Sequence, residues 1–115
     1  MKEIRKKKIE SLIRDKISEM ILKDEIKDPR IHGLVTVTEV EIARDLKDAK
    51  VFLSVMASED DRQRVIETFQ HAAGHVQRLL GGRITLKSTP RLHFRLDDSL
   101  ERGYRLSQAL KGLGD

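Results

Sequence analysis

The sequence contains no cysteine, and asparagine is also absent. Without cysteine, disulfides and thiolate metal sites are excluded, and a reducing compartment suits the chain. The missing asparagine is a bias associated with heat-adapted proteins. Aromatic residues make up only 3% of a chain that is 38% hydrophobic, so Leu, Ile and Val must do the packing. No apolar run approaches the roughly 20 residues that a membrane-spanning helix needs. The basic start also lacks the apolar stretch of a signal peptide, so a cytoplasmic location is expected.

What is present is charge. Charged residues reach 37%, with Lys and Arg at 23 against 19 Asp and Glu, for a net charge of +4. A small excess matters through its distribution. Lys2, Arg5, Lys6, Lys7 and Lys8 surround the single acid Glu3, while Arg83, Lys87, Arg91 and Arg95 span a stretch with no acid. Acids gather instead in Glu59-Asp60-Asp61 and in Asp97-Asp98 with Glu101. Two separated basic segments on one small domain fit a polyanionic partner, although a mixed soluble surface accounts for charge alone equally well. With 115 residues, residues 1–115 are expected to form one two-layer domain.

Along the chain the apolar period changes. Ile9, Leu12, Ile13, Ile17, Met20 and Ile21 recur at steps of three and four and predict a helix. Asp28-Pro29 is the expected stop, because the residue before proline is pushed out of helical geometry. Val35 and Val37 then alternate in one phase and Val40 and Ile42 in the other, so a bulge is expected near Thr38-Glu39. Ala49, Val51, Leu53, Val55 and Ala57 alternate cleanly, and the short link Arg44-Asp45-Leu46-Lys47-Asp48 predicts a hairpin. Ser58 with Asp61 opens a second helical stretch carrying Val65, Ile66, Phe69, Ala72, Ala73, Val76, Leu79 and Leu80, interrupted at Gly74 and ended by Gly81-Gly82. Ile84 and Leu86 alternate, but the firmer strand lies beyond Pro90, where Leu92, Phe94 and Leu96 alternate with Arg91, His93 and Arg95. Asp98 and Glu101 suggest a capping box for a short last helix carrying Leu100, Leu106, Leu110 and Leu113. The order is helix, strand, strand, interrupted helix, strand, short helix, which is an α+β arrangement.

Catalysis finds little support. No serine sits in a Gly-flanked elbow, and neither a P-loop nor a dinucleotide fingerprint is present. His71 and His75 have a spacing that lets two imidazoles share a metal, but the intervening Ala72-Ala73-Gly74 lacks the metalloprotease glutamate. Two surface histidines beside a bend is the plainer reading, so no catalytic or metal residue and no cofactor is expected. Ala72, Ala73 and Gly74 instead place small side chains where two helix halves join. Such a joint lets a phosphate backbone approach the amides at the start of the second half, as the Gly-x-x-Gly loop does in K-homology (KH) domains. Tight packing against the sheet explains the same residues without any ligand.

Four collinear stretches carry a resemblance. They are Asp24-Glu25-Ile26-Lys27-Asp28-Pro29-Arg30; Val40-Glu41-Ile42-Ala43-Arg44-Asp45-Leu46 with Ala49-Lys50-Val51-Phe52; Ala72-Ala73-Gly74-His75-Val76-Gln77-Arg78-Leu79-Leu80-Gly81; and Thr89-Pro90-Arg91-Leu92-His93-Phe94 with Asp97-Asp98-Ser99. Together the chain resembles the ribosome-binding factor A family. That resemblance implies a type II KH-like fold in which Ala72 to Gly74 forms the interhelical kink. It further implies binding to the free small (30S) ribosomal subunit and its 16S rRNA, a part in late maturation and rRNA processing, and adaptation to cold. Two departures stand out. His75 occupies a position where an apolar or aromatic residue is expected, and the sequence ends at Asp115 where many members continue into a charged tail.

The expected contact is phosphate-led. Its candidates are Arg5, Lys6, Lys7 and Lys8 at the start, Arg44 and Lys47 in the hairpin link, Ala72, Ala73, Gly74 and His75 at the kink, and Arg78 and Arg83 beyond it. Lys87, Arg91 and Arg95 are further possibilities. Phe69 and Phe94 fall in core phase, so a stacking platform of the RRM kind fits poorly. A domain that docks on an acidic protein is the competing class. Nothing resembles a coiled-coil seam, and a monomer is expected.

Overall fold

The computed structural model describes residues 2–26, 28, 31 and 34–114, apart from the side chains of residues 2, 100, 101, 113 and 114. In chain order the elements are α1 (Lys2–Leu22), β1 (Leu34–Ile42), β2 (Asp48–Met56), α2 (Glu59–His71), α3 (Ala73–Gly81), β3 (Arg91–Leu96) and α4 (Ser99–Gly114). This is the expected α+β order, with the helical stretch divided where the small residues predicted a joint.

Helix α1 turns the stripe Ile9, Ile13, Ile17 and Met20 inward, and all four are buried. It stops before Asp28 is reached, and Pro29 lies outside the described residues. The stop is local: Asp24 takes a left-handed φ of 56°. The Glu25 amide donates to the Met20 carbonyl at 2.8 Å and the Asp24 amide to the Ile21 carbonyl at 3.1 Å. These are the two bonds of a Schellman motif, with aspartate where glycine is usual.

β1 and β2 form the antiparallel hairpin, and the register shift falls between Val37 and Glu39. The shift moves Val40 and Ile42 onto the buried face beside Val35 and Val37, which is why the apolar phase of β1 changes midway. In the hairpin turn, Leu46 has φ 62° and donates its amide to the Ala43 carbonyl at 2.9 Å. Asp45 Oδ1 accepts from the Lys47 amide at 3.0 Å.

The sheet order is β1-β2-β3, and β3 runs parallel to β2. Parallel neighbours need a crossover, and α2 with α3 supplies it. Ser58 caps α2 by accepting from the Asp61 amide, as the Ser-to-acid spacing predicted. Phe69 and Phe94 are each 1% exposed and meet at 5.4 Å between ring centroids. The stretch around Ile84 and Leu86 is not a strand, although Ile84 is buried.

Two glutamines close the outer edge of β3. Gln70 accepts from the Phe94 amide at 2.8 Å and donates to the Leu92 carbonyl at 3.2 Å. Gln77 accepts from the Leu92 amide at 3.1 Å. Side-chain amides therefore stand in for the missing neighbour strand, which covers an otherwise open backbone edge.

The last helix departs from expectation. Its described leucines are not buried against the rest of the chain: Leu106 is 62% and Leu110 59% exposed. The capping box expected of Asp98 and Glu101 lies outside the described side chains. Asp97 instead accepts from the Ser99 amide at 2.9 Å, and Asp98 pairs with Arg102 at 3.0 Å.

Candidate nucleic-acid interface

The break between α2 and α3 lies at Ala72, with φ −86° and ψ 3°, the first residue of the expected Ala72–Gly74 joint and two positions before the glycine. These angles fall in the bridge region between helix and strand, so a single residue turns the chain. Its amide still closes onto the Thr68 carbonyl at 3.0 Å, and its carbonyl accepts from the Val76 amide at 3.1 Å. The two helices thus meet at one residue that bonds to both. No side chain caps the start of α3.

The three small residues have different surroundings. Ala73 is 7% exposed and belongs to the core, so tight packing accounts for it. Gly74 sits on the exposed side. A Cβ built there meets only Arg78 Nη1, at 4.0 Å. Packing within the described residues therefore gives no reason for glycine at position 74.

His75 and Arg83 both reach back to the end of α1. His75 Nε2 lies 3.3 Å from the Glu25 carbonyl oxygen. Arg83 donates through Nη1 to Glu25 Oε1 at 2.9 Å and through Nη2 to Oε2. The Arg83 hydrogen bond, ahead of its charge, holds the Glu25 carboxyl below its ordinary range and raises the guanidinium further. A planar fork matched to a carboxylate gives this pair its geometry. Of the candidates, then, Arg83 is committed to fixing the loop after α1 against α3. Arg78 is exposed and, among the described residues, has no ion-pair partner.

The basic start and the hairpin link come together. Arg5, Lys6, Arg44 and Leu46 line one groove with Glu3 and Ile9. The join is made by Glu10, whose Oε2 accepts from the Ile42 amide at 2.8 Å and ties α1 to the end of β1. Lys7, Lys8 and Lys47 are exposed. Arg91 pairs with Asp48 at 3.1 Å, and Arg95 points from β3 to the solvent face. His71 closes α2 and His75 lies in α3, so the break at Ala72 separates them. Among the described residues no cluster of His, Asp and Glu could hold a metal ion, and no helix is long and apolar enough to cross a membrane.

Sequence reasoning missed Glu25, Gln70 and Gln77 as structural partners. Each acts across many positions of sequence, and the sole signal in the chain is that Glu25 and Gln77 lie in two of the collinear stretches.

Comparison with known proteins agrees with this architecture. The family model described as ribosome-binding factor A matches residues 5–110. A ribosome-binding factor A of Halothermothrix orenii is 43% identical over 111 residues, covering 96% of this chain and 89% of the relative. The solution structure of a Thermotoga maritima protein put forward as a ribosome binding factor A superposes with a TM-score of 0.71 at 26% identity, covering 79% of this chain and 85% of that one. A homology model of Thermus thermophilus ribosome binding factor A, fitted into the cryo-electron-microscopy map of a 30S complex, gives a TM-score of 0.63 at 21% identity and covers 77% and 91%. The fold is KH-like, with the kink at Ala72 in place of the Gly-x-x-Gly loop.

Proposed function

This chain belongs to the ribosome-binding factor A family, and on that premise we propose that it is a non-catalytic assembly factor that binds the free 30S subunit through 16S rRNA and assists late maturation and rRNA processing. The Thermus thermophilus relative fitted into a 30S complex supports the choice of particle. Residues 1–115 act as one RNA-binding domain, without a cofactor and as a monomer.

The observation that carries the contact is the open space over Gly74. A sugar-phosphate backbone lies against Ala72 and Gly74, where the uncapped amides and positive dipole end of α3 face it. Arg78 supplies charge from the next turn, and His75 flanks the contact. Arg5, Lys6, Lys7, Lys8, Arg44 and Lys47 neutralise further phosphates from the groove at the start of α1. Arg83 acts indirectly, by holding the loop after α1 beside the kink.

Sedimentation with separated small subunits, large subunits and whole ribosomes at two salt concentrations tests this. Binding to free small subunits alone, weakened by salt, is the expected result; binding to no particle refutes it. Gly74→Val should weaken the complex more than it lowers the melting temperature, and equal losses would make the kink a packing feature only. Lys6→Glu with Lys7→Glu should reduce affinity and flatten its salt dependence, by about 0.9 in log-log slope for each duplex phosphate no longer neutralised. An unchanged slope removes α1 from the interface.

A further inference from the structure

The sheet has a second face, turned away from α1, α2 and α3. Along β2 the buried residues Ala49, Val51, Leu53 and Val55 alternate with Lys50, Phe52, Ser54 and Met56, which point outward. On β3 the outward residues are Arg91, His93 and Arg95. Register places Lys50 beside His93 and Phe52 beside Arg95. No helix among α1 to α3 covers this face.

Its charge is unbalanced in a particular way. At one end of this face Glu41, Asp48, Lys50, His93 and Arg95 line an open depression of about 580 Å³, whose rim is completed by Lys6 and Glu10 at the edge of α1. Asp48 is already engaged, by His93 at 2.8 Å and Arg91 at 3.1 Å. Glu10, also on the rim, accepts from the Ile42 amide. Among the described residues Lys6 and Lys50 have no ion-pair partner. Arg95 bonds only the carbonyl of Phe94, at 3.0 Å. Asp48 and Glu10 are occupied, Glu41 stands opposite Lys50 across the hairpin, and Arg95 has no acid of its own among the described residues.

Beyond Phe52 the same face becomes apolar. Leu34 is 62% and Met56 70% exposed. Together with Thr36, Thr38 and Ser54 they form a second depression, closed by Tyr104 and Arg105 of α4 and by Arg62 of α2. Phe52 is half-buried and lies between the cationic and apolar halves. Phe52 and Tyr104 are the two aromatic rings outside the core.

We propose that this outer sheet face binds a single-stranded segment of RNA, with phosphates at Lys50 and Arg95, one base against Phe52, and the next over Leu34, Met56 and Tyr104. A cationic track beside an aromatic and apolar surface suits a strand whose bases are free, since every base presents a stacking face. A duplex offers this face phosphates but no unstacked base. The proposal rests on the reading that the chain binds RNA, but it is independent of the kink. A protein that grips RNA on two opposite faces spans two segments of it.

The test uses the full chain and a fluorescein-labelled ten-nucleotide RNA of mixed sequence, read by anisotropy across a salt series. Lys50→Gln with Arg95→Gln should weaken binding at least ten-fold and lower the log-log salt slope by about 1.4, at roughly 0.7 for each of two single-strand phosphates. Phe52→Leu should weaken it about five-fold or more at unchanged slope, which is the lower range for removing one stacking ring. Gly74→Val should reduce binding to small subunits by more than it reduces binding of this oligonucleotide, and the outer-face variants should do the reverse. Three results overturn the proposal: no binding of the oligonucleotide by a protein that still binds small subunits, equal loss in the Gly74 variant, or full competition by polyglutamate. The last would make the face a general anion surface. Loss of both small-subunit and oligonucleotide binding in the unaltered protein would instead refute the RNA-binding reading itself.

Discussion

Replacing Gln70 by alanine removes both bonds that its amide makes to β3. The Phe94 amide loses an acceptor at 2.8 Å and the Leu92 carbonyl loses a donor at 3.2 Å. An intramolecular hydrogen bond contributes about 0.5–1.5 kcal/mol net, so two give about 1–3 kcal/mol. Gln70 is on the exposed side of α2, and water reaching the bared edge restores part of the loss, which puts the expected cost near 1–2 kcal/mol. Gln77→Ala removes one bond, to the Leu92 amide, and should cost about half as much. Urea unfolding gives both numbers from midpoints at constant slope, and hydrogen exchange locates them at the amides of Phe94 and Leu92. The order Gln70 above Gln77 is the discriminating feature. A Gln70→Ala cost below about 0.5 kcal/mol, or unchanged protection of the Phe94 amide, would refute the idea that the glutamines hold this edge.

Arg83→Ala should destabilise the protein near pH 7, by an amount that disappears in acid. The Glu25 carboxyl is held below its ordinary 4.5 chiefly by the Arg83 hydrogen bond. Its contribution is complete above that ordinary value and is lost as pH falls through the depressed one. The stability gap between the two proteins should therefore close below pH 4.5, and carbon-detected titration of Glu25 should move upward in the variant. Gly74→Ala should stabilise folding by about 0.5–1 kcal/mol, because a helical glycine is replaced in open space. Ala73→Leu, one residue away but buried, should cost about 1–3 kcal/mol by overpacking. Thermal melts distinguish these two, and a destabilising Gly74→Ala would show that the site is packed after all.

The alternation and helical periods of this chain run far enough to be read directly. Ile9, Ile13, Ile17 and Met20 announce α1, and Val35, Val37, Val40 and Ile42 reveal a bulge through a change of phase. Periodicity works there because burial is one-sided. It fails where the cause is a single dihedral angle. Asp24 ends α1 by adopting a left-handed conformation usually given to glycine, and Pro29 offers a more visible but later stop. It fails again where the partner is remote. Glu25 with Arg83 is separated by 58 positions, and an exposed-phase glutamine such as Gln70 carries no mark of the strand it serves. At the kink the residues are legible and their division of labour is not. Small size suits both packing and approach, and only the surroundings show Ala73 packed in the core and Gly74 in open space. The apolar stripe of α4 is legible as well, but its described members Leu106 and Leu110 stay exposed.

The parallel pairing of β3 with β2 also sets an order of events in time. The hairpin of β1 and β2 is local, and hairpins form within about 1–10 µs. β3 cannot join until the stretch through α2 and α3 has condensed, because closing a loop costs entropy before its distant contacts repay it. Until then the backbone of Asp48 to Leu53 lacks the neighbour with which it ends. During synthesis that neighbour, residues 91–96, emerges only after the hairpin and both crossover helices. A nascent chain stalled before Arg91 would hold a complete hairpin and both crossover helices, yet would keep the central strand of its sheet bare and ready to pair with another chain.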